Sequence, residues 1–199
     1  MIEEIILATG NKHKVEEIKK ILNDLNIKIT PMISFPQYPN TEEDGKTLEE
    51  NAIKKARETA KFFGKWTLAD DSGLEVDYLD GTPGVYSARY AGEKCLYEDN
   101  NNKLLKALDG VPLEKRTAKF RTVIAISSPD GKISLAEGKI FGIITFQSLG
   151  SNGFGYDPVF YVPEYGKTFA ELSTDIKNSI SHRAIALQKA KEFIAVTGE

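Results

Sequence analysis

Two extended runs joined by Pro129-Asp130-Gly131-Lys132 restrict this chain more than any other stretch. Residues 117–127 and 133–146 read as strands, and so short a connection through a proline, an aspartate and a glycine requires antiparallel pairing. The start of the chain has a different rhythm. Residues 4–9 form a short apolar run ending in Ala8-Thr9-Gly10-Asn11, after which Val15, Ile18, Ile21, Leu22 and Leu25 recur at helical spacing. Strand, tight turn and helix are the order of an α/β fold, so the sheet must be mixed.

The remaining elements fit that frame. A proline-rich loop holding Pro31, Pro36 and Pro39 leads to Thr47, which stands three residues before Glu50 as in a capping box. Leu48, Ala52, Ala56, Ala60 and Phe63 then make one helical stripe, which Gly64 stops. Short strands are expected around 66–69 and 74–79, on either side of Asp70-Asp71-Ser72-Gly73, followed by the turn Asp80-Gly81-Thr82-Pro83-Gly84 and a helix near 97–108. A last helix is predicted over 179–195, with Ile180, Ala184, Leu187, Lys191 and Ile194 along one side. A length of 199 residues suits one domain over 1–199, without repeat or linker.

Composition narrows the partners. A net charge of −3 with 28% charged residues lacks the basic face of a nucleic-acid binder, so any phosphate must be held by a few local cations and backbone amides. The single Cys95, with neither His near it in sequence, reads as an incidental thiol in a reducing compartment, which makes the cytoplasm the expected location. Met1-Ile2-Glu3-Glu4 carries acids where a signal peptide would be basic, and no apolar run reaches membrane-spanning length.

The groups able to do chemistry are scattered. Asp70 and Asp71 at a strand end resist joint ionisation, which a hard divalent cation such as Mg²⁺ would relieve; an Asp-Asp-Ser-Gly turn with locally bonded acids is the other reading. Glu42-Glu43-Asp44-Gly45 can supply a further oxygen ligand or simply face solvent. The turn Thr9-Gly10-Asn11-Lys12-His13-Lys14 opens a helix whose free N–H groups and dipole favour an anion, with Lys14 adding a charge and His13 reading as a surface residue. Gly-Lys-Thr at 45–47 and 166–168 is no P-loop, because Asn40 and Tyr161 stand where that motif needs glycine. Gly153-Phe154-Gly155 is no dinucleotide fingerprint, because Pro158 takes the third glycine position. Phe154, Gly155, Tyr156 and Asp157 suit either base stacking or a core strand. Lys177, Ser181, His182 and Arg183 offer donors that match a 6-oxo purine, or an ordinary solvated helix start.

Taken jointly, these segments resemble the inosine/xanthosine triphosphate pyrophosphatase family. The resemblance rests on Ala8-Thr9-Gly10-Asn11 with Lys14, Glu43 before Gly45, Thr47 with Glu50-Asn51-Ala52, Ala69-Asp70-Asp71-Ser72-Gly73-Leu74, Pro83-Gly84-Val85-Tyr86-Ser87-Ala88-Arg89, Gly153 to Pro158, and Ser181-His182-Arg183, in collinear order. It implies an elongated mixed sheet flanked by helices in two lobes with a nucleotide cleft between them, and a homodimer. It further implies hydrolysis of ITP, dITP and XTP to the monophosphate and pyrophosphate. Thr9, Gly10, Asn11, Lys12, His13, Lys14 and Ser72 are then triphosphate contacts, Asp71 the catalytic residue, and Glu43 with Asp71 the Mg²⁺ ligands. Phe154, Gly155, Tyr156, Asp157, Lys177, His182 and Arg183 become the purine pocket. Tyr156 stands where relatives often carry Trp.

Overall fold

Strands β1 (Glu4–Leu7), β2 (Lys28–Pro31), β3 (Trp66–Val76), β4 (Thr117–Ser127), β5 (Ile133–Ile144), β6 (Phe160–Val162) and β7 (Lys167–Thr168) form one sheet in the order β2-β1-β3-β4-β5-β6-β7. The computed structural model describes residues 2–35, 37–38 and 41–196, so Met1, Pro36, Pro39 and Asn40 of the sequence reading lie outside the described residues. β1 runs parallel to both β2 and β3, while β6 is antiparallel to β5 and β7, so the sheet is mixed, as the 129–132 connection requires. Helices α1 (Lys12–Ile21), α2 (Leu48–Phe63), α3 (Tyr97–Ala107), α4 (Thr174–Ile180) and α5 (His182–Val196) complete the fold.

The chain divides into two compact units, whose boundaries fall inside β3, β4 and β5 and between α4 and α5. The first holds the described residues up to Asp71, Thr122–Gly138, and the described residues from His182 onward. Its core joins Ile5 and Leu7 of β1, Ile18 and Ile21 of α1, Ile124 and Ile126 of β4, and Leu187, Ala190 and Ile194 of α5. Full burial of each such aliphatic side chain stabilises by roughly 1.5–3 kcal/mol, which is what holds the two helices in place. The second unit, Ser72–Arg121 and Lys139–Ser181, centres on Phe120, Phe160 and Phe169, with ring centroids 4.5–5.9 Å apart. There Arg116 is buried with Nε, Nη1 and Nη2 donating to the carbonyls of Ile144, Leu108 and Thr145 at 2.6–2.8 Å, which ties the end of α3 to the end of β5.

Local signals account for most boundaries. Thr47 Oγ1 accepts from the Glu50 amide at 3.1 Å and Gly64 ends α2 in the left-handed region. The capping box is incomplete, because Glu50 reaches past Thr47 to the Lys46 amide at 2.6 Å. Three expectations need correction. The proline-rich loop contains β2, and Pro31 is tolerated there because an edge strand leaves some N–H positions unpaired. The two short strands around 66–69 and 74–79 are one strand, β3, running straight through Asp70 to Gly73. Gly73 serves close approach rather than turning: a Cβ there would collide with the Gly84 carbonyl. The helix predicted over 179–195 is two helices, because Ser181 adopts an extended conformation (ψ 157°) between α4 and α5, a backbone preference shared with N-cap serines.

Gly138 of β5 lies under the first turn of α5, where a Cβ would meet the His182 carbonyl and the Ala186 amide. Gly138→Ala should therefore cost about 1–3 kcal/mol in denaturant unfolding, the usual range for overpacking. A variant as stable as the parent would show that α5 is not held that close.

Candidate active site

β3 sends successive side chains to opposite faces, so Asp70 and Asp71 are adjacent in sequence but serve different surroundings. Asp70 has a side chain fully buried, and Arg183 Nε of α5 donates to its Oδ2 at 3.0 Å while the Lys14 ammonium of α1 pairs with Oδ1. Arg183 Nη1 also pairs with Glu17 of α1. Burial opposes ionisation of Asp70, yet Arg183 and Lys14 outweigh it and hold the carboxyl far below the usual range. Burial likewise opposes charge on Arg183, but Asp70 and Glu17 keep it protonated beyond question.

Asp71 meets α2 instead. Lys55 Nζ donates to Asp71 Oδ1 at 2.8 Å, to Glu43 Oε1 at 2.8 Å and to the Asp70 carbonyl at 2.9 Å. Asn51, one turn earlier on α2, donates to Asp71 Oδ2 at 3.3 Å and accepts from the Gly45 amide at 2.8 Å, which fixes the loop carrying Glu43. Here burial prevails: it raises the Asp71 carboxyl, with Glu43 adding to the rise and Lys55 and Lys14 only partly offsetting it. Asp70 is thus held ionised while burial raises the carboxyl of its neighbour, and environments that push two acids apart in this way are typical of acid–base sites.

Among the described residues no group of three His, Cys, Asp or Glu side chains forms a metal cage. Glu43 and Asp71 nevertheless converge on one point, the Lys55 ammonium. Mg²⁺ is commonly held by one or two carboxylates with water and phosphate oxygens completing the shell, so this donor set fits it.

The turn ahead of α1 departs from expectation. Asn11 Oδ1 accepts from the His13 and Lys14 amides at 3.0 and 3.3 Å, and Thr9 Oγ1 accepts from the Asn11 amide at 3.2 Å. These amides are therefore capped internally rather than open to an anion, because Asn is a strong N-cap residue. Lys12 and His13 are exposed, Gly10 is exposed and Lys14 is half-buried. Ser72, half-buried, begins the second unit.

The second unit assembles part of the expected purine set. Asp157 Oδ2 accepts from the Phe154 amide at 2.7 Å and from Lys177 Nζ at 2.5 Å, and the same ammonium lies 4.6 Å from the Phe154 ring centroid. Asn101 of α3 donates to the Gly155 carbonyl at 3.0 Å. Tyr156 is only 4% exposed and its hydroxyl donates to the Ser87 carbonyl at 2.9 Å, so its ring packs in the core and offers no open face for stacking. Residues 153–157 are bend and turn, not the aromatic strand considered from sequence. His182 and Arg183 belong to the first unit, where Arg183 is committed to two carboxylates.

Sequence reasoning missed Lys55. It sits with Asn51 and Thr59 in a buried polar row at four-residue spacing on α2, and hydrophobic periodicity counts such a row as a solvated face. The one available signal was the spacing of Asn51 and Lys55, which puts both on the same side of the helix.

The Ham1 family model matches residues 5–193. A protein of Desulforamulus reducens named dITP/XTP pyrophosphatase is 54% identical over 191 residues, 96% of this chain and 95% of that protein. One of the same name from Geobacter sulfurreducens is 50% identical over 194 residues, 98% of each chain. The solved structure of the Staphylococcus aureus Ham1 protein superposes with a TM-score of 0.87 at 42% identity, covering 98% of this chain and all (100%) of that one.

Removing one partner of a buried ion pair leaves the other uncompensated, at a cost of about 3–5 kcal/mol. Asp70→Asn should lose that much at pH 7 in denaturant titrations. Because the folded carboxyl lies below its unfolded value, near 3.9, its contribution is complete above that pH and fades as acid titrates the folded form. The gap between parent and variant should accordingly shrink below about pH 4; a gap constant down to pH 2 would contradict the pairing.

Proposed function

This chain belongs to the Ham1 family, and on that premise we propose that it hydrolyses dITP, ITP and XTP to the monophosphate and pyrophosphate, clearing deaminated purines from the nucleotide pool. The observation that carries the reading is the Glu43–Lys55–Asp71 cluster, a carboxyl raised by burial beside a second carboxylate and a cation. The names of relatives at 50–54% identity over nearly the whole chain support the substrate class.

In this reading the triphosphate is held at the turn from Thr9 to Lys14 by the charge of Lys14 and Lys55 rather than by the capped amides, and Ser72 is a further contact by the family resemblance. Asp71 accepts a proton from a water whose oxygen bonds to the α-phosphorus, while the bond from that phosphorus to the bridging oxygen breaks and pyrophosphate leaves. Glu43 and Asp71 would hold Mg²⁺, which would supply neutralisation of the phosphate charge. Asp70 keeps Lys14 and Arg183 in position and takes no proton. The base is assigned to Phe154, Gly155, Asp157 and Lys177, with His182 and Arg183 contributed by the family resemblance. The Lys177 ammonium donates to a 6-oxo group and faces the wrong partner in a 6-amino group, where an unmatched buried donor costs roughly 1–3 kcal/mol. The buried Tyr156 anchors this loop.

We further propose a homodimer, which the family resemblance supports, working in the cytoplasm, with which the free thiol of Cys95 agrees. Among the described residues no helix is long and apolar enough to cross a membrane. Light scattering that returned the 22.1 kDa of one chain would remove the dimer.

Pyrophosphate release from a panel of nucleoside triphosphates, with and without Mg²⁺, tests the activity. Turnover of dITP, ITP and XTP should exceed that of ATP at least a hundredfold, about 2.7 kcal/mol, and should require the metal. Thermal stabilisation by nucleotide without pyrophosphate would make the chain a sensor instead. Asp71→Asn should lower kcat by a factor on the order of 100 to 10,000 with little change in KM. Turnover within twofold of the parent would take Asp71 out of the chemistry. Lys177→Met should narrow the preference for ITP over ATP; an unchanged ratio would remove Lys177 from base selection.

A further inference from the structure

Lys55 has all three ammonium protons placed: on Glu43, on Asp71 and on the Asp70 carbonyl, all within 2.8–2.9 Å. It is 7% exposed and reaches this point from the middle of α2, one turn beyond Asn51, which steadies Asp71 and the Glu43 loop from the same helix face. An ammonium has three donors and no acceptor, so its capacity is saturated by protein oxygens. The two carboxylates it bridges are the same two that a divalent cation would take. We propose that Lys55 is an internal place-holder for that cation, occupying the point between Glu43 and Asp71 so that the free chain binds the metal weakly until a polyphosphate offers Lys55 another anion. This rests on the reading of Glu43 and Asp71 as metal ligands given above.

The physical case is one of charge and room. Glu43 and Asp71 together carry two negative charges, and Lys55 neutralises one of them. A divalent ion added beside the ammonium would meet a like charge within a few ångströms, in surroundings where burial strengthens repulsion. The ammonium must therefore leave when the metal arrives. In the free chain its departure would strand a cation on a side chain that is buried against α2 and β3. A bound polyphosphate removes that obstacle, because the flexible four-carbon stem of lysine can carry its charge to a phosphate oxygen. Metal and nucleotide then strengthen one another's binding by the same factor, as linkage demands, although they touch different atoms. A lysine that merely braced the fold would not exclude metal, and its removal would bring no gain in metal affinity.

Titration calorimetry with Mn²⁺ alone, without nucleotide, on the full chain separates these cases. Lys55→Met should bind one Mn²⁺ at least tenfold more tightly than the parent, whereas Lys55→Arg, which keeps the cation, should bind as weakly as the parent. Adding Asp71→Asn to Lys55→Met should abolish the gain. Equal affinity of parent and Lys55→Met, or a gain that survives Asp71→Asn, would overturn the proposal. Should Lys55→Met fold poorly without metal, thermal unfolding decides: Mn²⁺ must raise its Tm by more than it raises the parent's, and an equal shift counts against the place-holder. Metal-dependent pyrophosphate release by a parent whose Lys55→Met variant shows no gain would sink the place-holder and leave the activity standing. A gain in Mn²⁺ affinity from a chain that releases no pyrophosphate would do the reverse.

Discussion

A strand directs neighbouring side chains to opposite faces, and the pairing of buried charges in this chain depends on that rule acting at Asp70 and Asp71. Two carboxylates on one face would contest a single environment, and one of them would stay protonated. Separated by the pleat of β3, each carboxylate pairs directly with different cations. Asp70 gains Lys14 and Arg183 and is held ionised; Asp71 gains Lys55 and Asn51 but is buried deeply enough that its carboxyl rises. The sequence reading joined the acids into one metal-binding tip, whereas the structure gives them separate partners, Lys14 and Arg183 for Asp70 and Lys55 and Asn51 for Asp71.

The ion pairs contribute position more than stability. Desolvating Asp70, Arg183 and Glu17 consumes much of what their attraction returns, so the network's net stabilisation is small although breaking it is costly. Stability in the first unit comes from Ile5, Leu7, Ile18, Ile124, Leu187 and the other apolar residues packed around β1. What the charges add is orientation: α1 and α5 are tied to one carboxylate on β3, which fixes where Lys14 stands. The loop of Phe154 to Asp157 follows the same logic with different parts. Asp157 binds the loop's own amide and Lys177, and Asn101 holds the Gly155 carbonyl. Groups already ordered in the free chain lose less entropy when a ligand arrives.

Where local signals act alone, sequence and structure agree. The stripe from Leu48 to Phe63, its Thr47 cap and its Gly64 stop give α2; the 129–132 connection gives neighbouring β4 and β5; both rest on interactions within a few residues. Agreement fails where a distant partner intervenes. β2 was hidden by its proline, because only the place of that strand at the edge of the sheet makes Pro31 harmless. The glycine after Asp71 suggested a turn, but Gly73 is there because the Gly84 backbone passes close by. Ser181 sits inside a convincing helical stripe, and the stripe concealed the break between α4 and α5.

Composition, periodicity and turn chemistry by themselves determined that this chain is an α/β protein with a mixed sheet, and the order of its motifs pointed to its family. They also marked out Asp70, Asp71, Lys14, Glu43 and Lys177 as charged groups worth following. Only the tertiary structure decided which charges meet. Lys14, Asp70 and Arg183 are brought together from positions up to 169 residues apart in sequence, and Lys55 comes to Glu43 and Asp71 from a helix row that reads as solvent-facing. The reason is physical: periodicity records which side of an element is apolar, whereas the pairing of buried polar groups depends on which elements pack together, and that information is distributed over the whole chain.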